Sequence, residues 1–284
     1  KMDGKIMAWL CGGMLALTGC AEETTLINGC WELSFDERSG GIDIRKDSLC
    51  VFDDLYAAYK LSDSTITTLD YEDCSVSVEE ITDAFGKGFR YEVSYTDEML
   101  PALVQSFYVY PDKDYILTDF TLSSDEEVAS NYMAPVNVDQ MPQVLAEGKD
   151  NRALFIPFDN DCWIRYRSCP LTFGELTSYE VTAVYNNDNR HALVVGSVEH
   201  DNWKTAVVMG HGNAHNIGSL KCYGGVADKT TRDSKSHGAL RGTVIKSPKI
   251  LLGCFDDWRM GMEEYASANA TVAPPKTWDK AVPF

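Results

Sequence analysis

The feature that most limits the fold is an alternation of apolar and polar side chains that returns, between turns, along most of the chain. Trp31, Leu33 and Phe35 alternate with Glu32, Ser34 and Asp36, and after the turn at Arg38, Ser39, Gly40 and Gly41 the pattern resumes at Ile42 and Ile44. A period of two puts successive side chains on opposite faces of a strand, so each run reads as a strand with one buried face. Phe89, Tyr91, Val93 and Tyr95 repeat it. Runs 104–110 and 115–122 flank Pro111, Asp112, Lys113 and Asp114, a hairpin signature. Runs 179–185 and 191–198 flank a second polar turn, and residues 192–196 are apolar on both faces, which predicts a central strand. Runs 203–209, 242–245 and 250–254 complete the series. Strands at short spacing with almost no helical period predict an all-β fold, a large antiparallel sandwich of two stacked sheets in one domain over residues 30–254. At 284 residues, 44% of them hydrophobic, the chain has enough apolar surface for such a core.

The period changes near the end. Asp256 or Asp257 is placed to cap a helix in which Trp258, Met262 and Tyr265 share one face, followed by Ala273, Pro274, Pro275 and Lys276 as a rigid linker. Residues 255–284 therefore read as a helix and a linker. The opposite end is not part of the sandwich. Lys1 and Lys5 precede an apolar run, 6–17, too short to span a bilayer. It ends in Leu17, Thr18, Gly19 and Cys20, which resembles the lipobox of bacterial lipoproteins. That resemblance implies a signal peptide over 1–19, lipidation at Cys20, a tether over 20–29, and an exported protein held on a bacterial membrane by lipid alone.

A net charge of −18 disfavours nucleic acid and anionic membrane surfaces as partners and leaves neutral ligands unpenalised. Seven cysteines remain after Cys11 in the leader and Cys20: Cys30, Cys50, Cys74, Cys162, Cys169, Cys222 and Cys254. The odd number leaves at least one free thiol, no Cys-x-x-Cys pair occurs, and no disulfide is assigned.

The stretch with most chemical content runs from 153 to 167. It reads as a strand (153–156), a polar corner (157–161) and a second strand (162–167). Pro157 cannot donate to a ladder, so the first strand stops there. Asp159, Asn160 and Asp161 put three oxygen-bearing side chains on one tip, and alternation would place Trp163, Arg165 and Arg167 on one face. An aromatic plate beside fixed polar groups suits a sugar, with its apolar C–H face and hydroxyl rim. Asp159, Asn160, Asp161, Trp163 and Arg165 are the candidate carbohydrate contacts. The plainer alternative is a capped hairpin whose acids are merely solvated.

Other constellations carry less. His211 and His215 have the spacing of a zinc pair, but Gly212 and Asn213 predict a loop, and no third ligand is evident. Asp159 to Asp161 supply three oxygens where calcium needs six or more. Glu199 and His200 could suggest proton transfer around a sugar ring, yet neighbours on a strand face opposite ways. No metal or other cofactor is expected.

Four segments resemble the N-terminal domain of melibiase-type α-galactosidases. They are Asn131 to Pro135 (Asn-Tyr-Met-Ala-Pro), Pro157 to Asp161 (Pro-Phe-Asp-Asn-Asp), Val195 to Thr205 (Val-Gly-Ser-Val-Glu-His-Asp-Asn-Trp-Lys-Thr) and Phe255 to Arg259 (Phe-Asp-Asp-Trp-Arg). The resemblance is distributed over most of residues 30–284. It implies a β-supersandwich, similar in shape to galactose mutarotase, ahead of a (β/α)8 barrel. Val282, Pro283 and Phe284 resemble the opening of that barrel's first strand, Pro-Phe-Gly-Trp-Asn-Ser-Trp. In that family both catalytic carboxylates of the retaining reaction lie on barrel strands, so the resemblance assigns no catalytic residue here. It implies a galactose-containing or related glycan and the chain's own barrel as partners. The alternative is a stand-alone carbohydrate-binding surface lipoprotein, and a third reading is a spacer between anchor and barrel.

Overall fold

A computed structural model describes residues 24–145, 148–158, 163–225 and 239–276. The expected signal peptide, Cys20 and the first four residues of the expected tether, 20–23, lie outside the described residues, as do 277–284. The first strands are β1 (Thr25–Asn28), β2 (Trp31–Phe35), β3 (Ile42–Lys46), β4 (Leu49–Leu61) and β5 (Ser64–Thr67). A 3-10 turn, Thr68–Asp70, leads to β6 (Asp73–Asp83), β7 (Gly86–Thr96), β8 (Ala102–Val109), β9 (Tyr115–Ser130) and β10 (Met133–Val138). Then follow β11 (Asn151–Phe155), β12 (Arg167–Pro170), β13 (Glu175–Tyr179), β14 (Val181–Asn186) and β15 (Ala192–Ser197). The last are β16 (Thr205–Gly210), β17 (Ser219–Gly224), β18 (Leu240–Lys246), β19 (Ile250–Phe255) and the helix α1 (Trp258–Val272).

They form two antiparallel sheets. The nine-stranded sheet runs β1-β2-β3-β4-β10-β17-β16-β13 with β5 on β4, and the ten-stranded one runs β12-β11-β14-β15-β19-β9-β8-β7-β6 with β18 on β9. The all-β, two-sheet expectation and the short C-terminal helix therefore hold. The alternating residues turn inward as the period requires. Trp31, Leu33, Ile42, Ile44, Phe52 and Tyr59 of one sheet meet Tyr91, Val93, Phe107, Phe120 and Leu252 of the other in one core. Each such side chain, fully buried, contributes about 1.5–3 kcal/mol. Trp31 is fully buried, and its Nε1–H donates to the Lys113 carbonyl at 2.9 Å, so its polar atom carries no desolvation penalty.

Helix α1 lies on the outer face of the ten-stranded sheet, against β15, β19 and β14. Asp257 caps it by accepting the Arg259 N–H. Trp258, Met262 and Tyr265 pack with Val194, Leu251, Phe255 and Tyr185 in a second apolar layer. Close approach demands small residues at the contact. A Cβ on Gly196 would stand 2.7 Å from the Tyr265 ring, and one on Gly261 would stand 2.6 Å from the Phe255 ring.

The elements differ from the sequence reading in several places, and β1, β5, β6, β10 and β17 have no counterpart in it. Run 179–185 is two strands, because Glu180 adopts φ 65° and passes the chain from the nine-stranded sheet to the ten-stranded one. β4 was not read at all. It is long and bent, with Asp54 at φ 52° and shifted register against β3, which breaks the period. The expected strand 162–167 also fails, for a reason that belongs to the site.

Candidate functional site: the corner between β11 and β12

The β11–β12 ladder closes with Phe155 opposite Arg167. It cannot extend, because Ile156 gives both its backbone groups to the β13 side: its N–H donates to Ser178 Oγ at 2.9 Å, and its carbonyl accepts the Tyr179 N–H at 3.0 Å. With Pro157 next, the outgoing strand starts at Arg167 rather than at Cys162. Residues 163–166 form a bend, and the expected sorting of Trp163, Arg165 and Arg167 onto one strand face does not apply. Trp163 is 86% exposed, with Ile164, Arg165 and Tyr166 also at the surface, while Arg167 lies over the Phe155 ring at 5.2 Å. Asp159, Asn160, Asp161 and Cys162 lie outside the described residues.

The root of this loop is firmly held. Phe158 meets Tyr179 edge to face at 5.3 Å, and the Lys204 ammonium sits 4.9 Å from the Phe158 ring. Tyr179, Ala206 and Tyr223 continue the apolar contact, Tyr223 pairs with Tyr132 at 4.7 Å, and Lys60 sits over Tyr132 at 5.1 Å. An aromatic strip with a lysine at each end thus leads away from the loop across the nine-stranded sheet. Sequence reasoning missed it because its members come from β4, β13, β16, β17 and three connections, far apart in the chain.

Beside the root, Glu180 gathers charge. Its Oε2 lies 3.1 Å from His200 Nδ1, and its Oε1 lies 3.4 Å from Lys204 Nζ and accepts the Thr205 N–H at 3.3 Å. Burial alone would raise the Glu180 carboxyl, but the His200 hydrogen bond and the Lys204 charge outweigh it and hold it below its ordinary value. The hydrogen bond to Glu180 raises His200 against the opposing effect of burial. His200 Nε2 also bonds Asn269 Oδ1 of α1 at 2.6 Å, and Tyr265 donates to the Ser197 carbonyl at 2.8 Å. One imidazole therefore joins the β13–β14 crossing to the helix. The signal in the sequence was the lone acid between Tyr179 and Val181.

Glu199 turns the other way, to Lys246 at 3.3 Å and Lys249 at 3.9 Å, so it shares no site with His200. Those lysines also flank Asp119, which is 3% exposed, at 3.1 and 3.3 Å. They approach its Oδ2 off the hydrogen-bonding direction, so the attraction is coulombic. Two acids and two bases cancel there, and the group reads as a charge network on the outer face of the sheet, not as an acid–base pair. His211 and His215 lie in the loop between β16 and β17, with His211 at φ 55°. Among the described residues no three His, Cys, Asp or Glu side chains converge as metal ligands.

No family model matches the chain, and no curated protein matches it by sequence. Solved structures do match in fold. The chain aligns with the α-N-acetylgalactosaminidase NagBb of Bifidobacterium bifidum in complex with GalNAc at a TM-score of 0.57 and 10% identity, over 88% of this chain and 39% of that one. It aligns with the GH36 α-galactosidase AgaA of Geobacillus stearothermophilus at 0.54 and 10%, over 83% and 41%. A Glycoside Hydrolase Family 97 enzyme from Pseudoalteromonas sp. strain K8, in complex with acarbose, aligns at 0.54 and 9%, over 82% and 36%. The structural neighbours are glycoside hydrolases, and at this identity the likeness establishes the sandwich fold. The chain spans about two fifths of the length of these structures.

Proposed function

We propose that this chain is the non-catalytic sandwich domain of an exported, lipid-anchored glycoside hydrolase of the α-galactosidase-like kind. The observation that carries the reading is the fold match over 88% of this chain to a portion of a glycosidase. In this reading the domain supports a catalytic barrel, and the corner after β11 walls the sugar cleft. A tryptophan presented at 86% exposure on a loop with a locked root is the form such a wall takes, since it stacks on a sugar without reorganising. Lipid anchoring through Cys20 is part of the same proposal and follows from the lipobox resemblance.

The wall is tested in the protein that joins this domain to its barrel. Trp163→Ala and Arg165→Ala are each expected to raise KM for an aryl α-galactoside about tenfold, with kcat held within about twofold. An unchanged KM for both variants would leave the domain as a spacer. The stand-alone binding reading makes the opposite demand. Calorimetry of this chain alone with galactosides would then show saturable heat that Trp163→Ala abolishes.

A further inference from the structure

We infer that Cys30 and Cys254 form a disulfide between the two sheets when the chain folds in an oxidising environment. This goes beyond the glycosidase reading and does not rest on it. Cys30 lies in the turn joining β1 to β2 of the nine-stranded sheet, and Cys254 follows Leu252 on the inward face of β19 in the ten-stranded one. Both side chains pack against the main core. The same short turn, 111–114, touches both. On one side Gly29 lies so close to Pro111 that a Cβ would stand 2.6 Å from its carbonyl oxygen, and Trp31 Nε1–H donates to the Lys113 carbonyl at 2.9 Å. On the other side the Cys254 N–H donates to the Asp114 carbonyl at 3.0 Å.

Lys46 closes the cluster. Its ammonium donates to the Cys254 carbonyl at 2.7 Å and pairs with Asp114 at 2.6 Å, while the neighbouring Asp47 N–H donates to the Cys30 carbonyl at 2.8 Å. The two sulfurs sense this ammonium, and that of Cys254 also senses that of Cys30. The remaining described cysteines sit elsewhere: Cys50 at the start of β4, Cys74 on the edge strand β6, Cys169 on β12 and Cys222 within the core on β17. All six described cysteines are thiols in this structure.

Burial pushes both thiols up, Cys254 to about 12, so in the folded protein the pair is protonated and exchanges slowly. The bridge therefore forms while the chain is still open. One thiolate attacks a small-molecule disulfide such as oxidised glutathione and releases one thiol. The second cysteine then displaces the other thiol from the mixed disulfide. Two cysteine thiols are oxidised to one disulfide, and one oxidant disulfide is reduced to two thiols. The resulting link ties the β1–β2 corner to a central strand of the opposite sheet and closes a loop of most of the chain, the case in which a cross-link limits the unfolded state most.

The test is cell-free synthesis of the full chain in a glutathione redox buffer and, in parallel, in excess reductant. Each sample is alkylated, digested without reduction and mapped by mass spectrometry. The expected result is a linked peptide pair containing Cys30 and Cys254 in the oxidised sample alone. Its melting temperature should stand at least about 5 °C above that of the reduced sample. Soluble, β-sheet protein from the redox buffer with Cys30 and Cys254 both alkylated overturns the inference, as does either cysteine linked to a different partner. The mapping needs no variant, so it does not depend on a substitution that fails to fold.

Discussion

Glu180 shows how much one residue decides at this corner. Its left-handed backbone sends the chain between sheets, and its carboxylate holds His200, Lys204 and the Thr205 N–H. The pair has a defined pH window. His200 is raised, so its contribution is complete below its unfolded value near 6.5 and is lost as pH rises through the folded value. Glu180 is lowered, so its contribution is present above its unfolded value near 4.5 and is lost as pH falls through the folded value. Both hold between about pH 5 and 6. Glu180→Gln is expected to reduce stability more in that window than near pH 8, where the Lys204 and Thr205 contacts remain, by about 1 kcal/mol at most because His200 is partly exposed. A pH-independent loss would mean that the backbone turn alone matters. Trp31→Ala, by contrast, opens the core and should cost about 3–5 kcal/mol in urea unfolding at any of these pH values.

Elements were legible where a two-residue period or an unbroken apolar run marks the buried faces. β2, β3, β7, β8 and β9 show in the period, β15 and β19, buried on both faces, show as apolar runs, and Asp257 caps α1 as its position implies. β6 escaped because, as an edge strand, it is exposed on nearly every residue and carries Asp73, Glu79, Glu80 and Asp83, the charges that keep an edge from pairing with other chains. β12 began late because Ile156 had committed its backbone to Ser178 and Tyr179, a tertiary choice that no local pattern encodes. At the site, Trp163 and Arg165 were legible as residue types, but Phe158, Glu180 and Lys204 were not, since three separate segments bring them together. The helix–sheet contact gives the prediction at this scale. Gly196→Val forces a side chain into Tyr265 and should destabilise by about 1–3 kcal/mol, with α1 becoming the first segment cut by limited proteolysis. Undiminished protection of α1 would show that its docking does not depend on that close approach.

At the scale of the molecule, two sheets enclose one core, a helix seals part of the outer face, and Trp163 stands exposed ahead of β12. Asp119, the most buried of the described carboxylates, lies between Lys246 and Lys249, and Glu180 lies between His200 and Lys204. The central claim is that this sandwich serves a glycosidase without performing its chemistry, and hydrolysis by the purified chain tests it most directly. Incubated with nitrophenyl α-galactoside and nitrophenyl α-N-acetylgalactosaminide, the chain is expected to release nitrophenol no faster than buffer. Steady turnover that scales with protein concentration and disappears in Asp119→Asn or Glu180→Gln would contradict it.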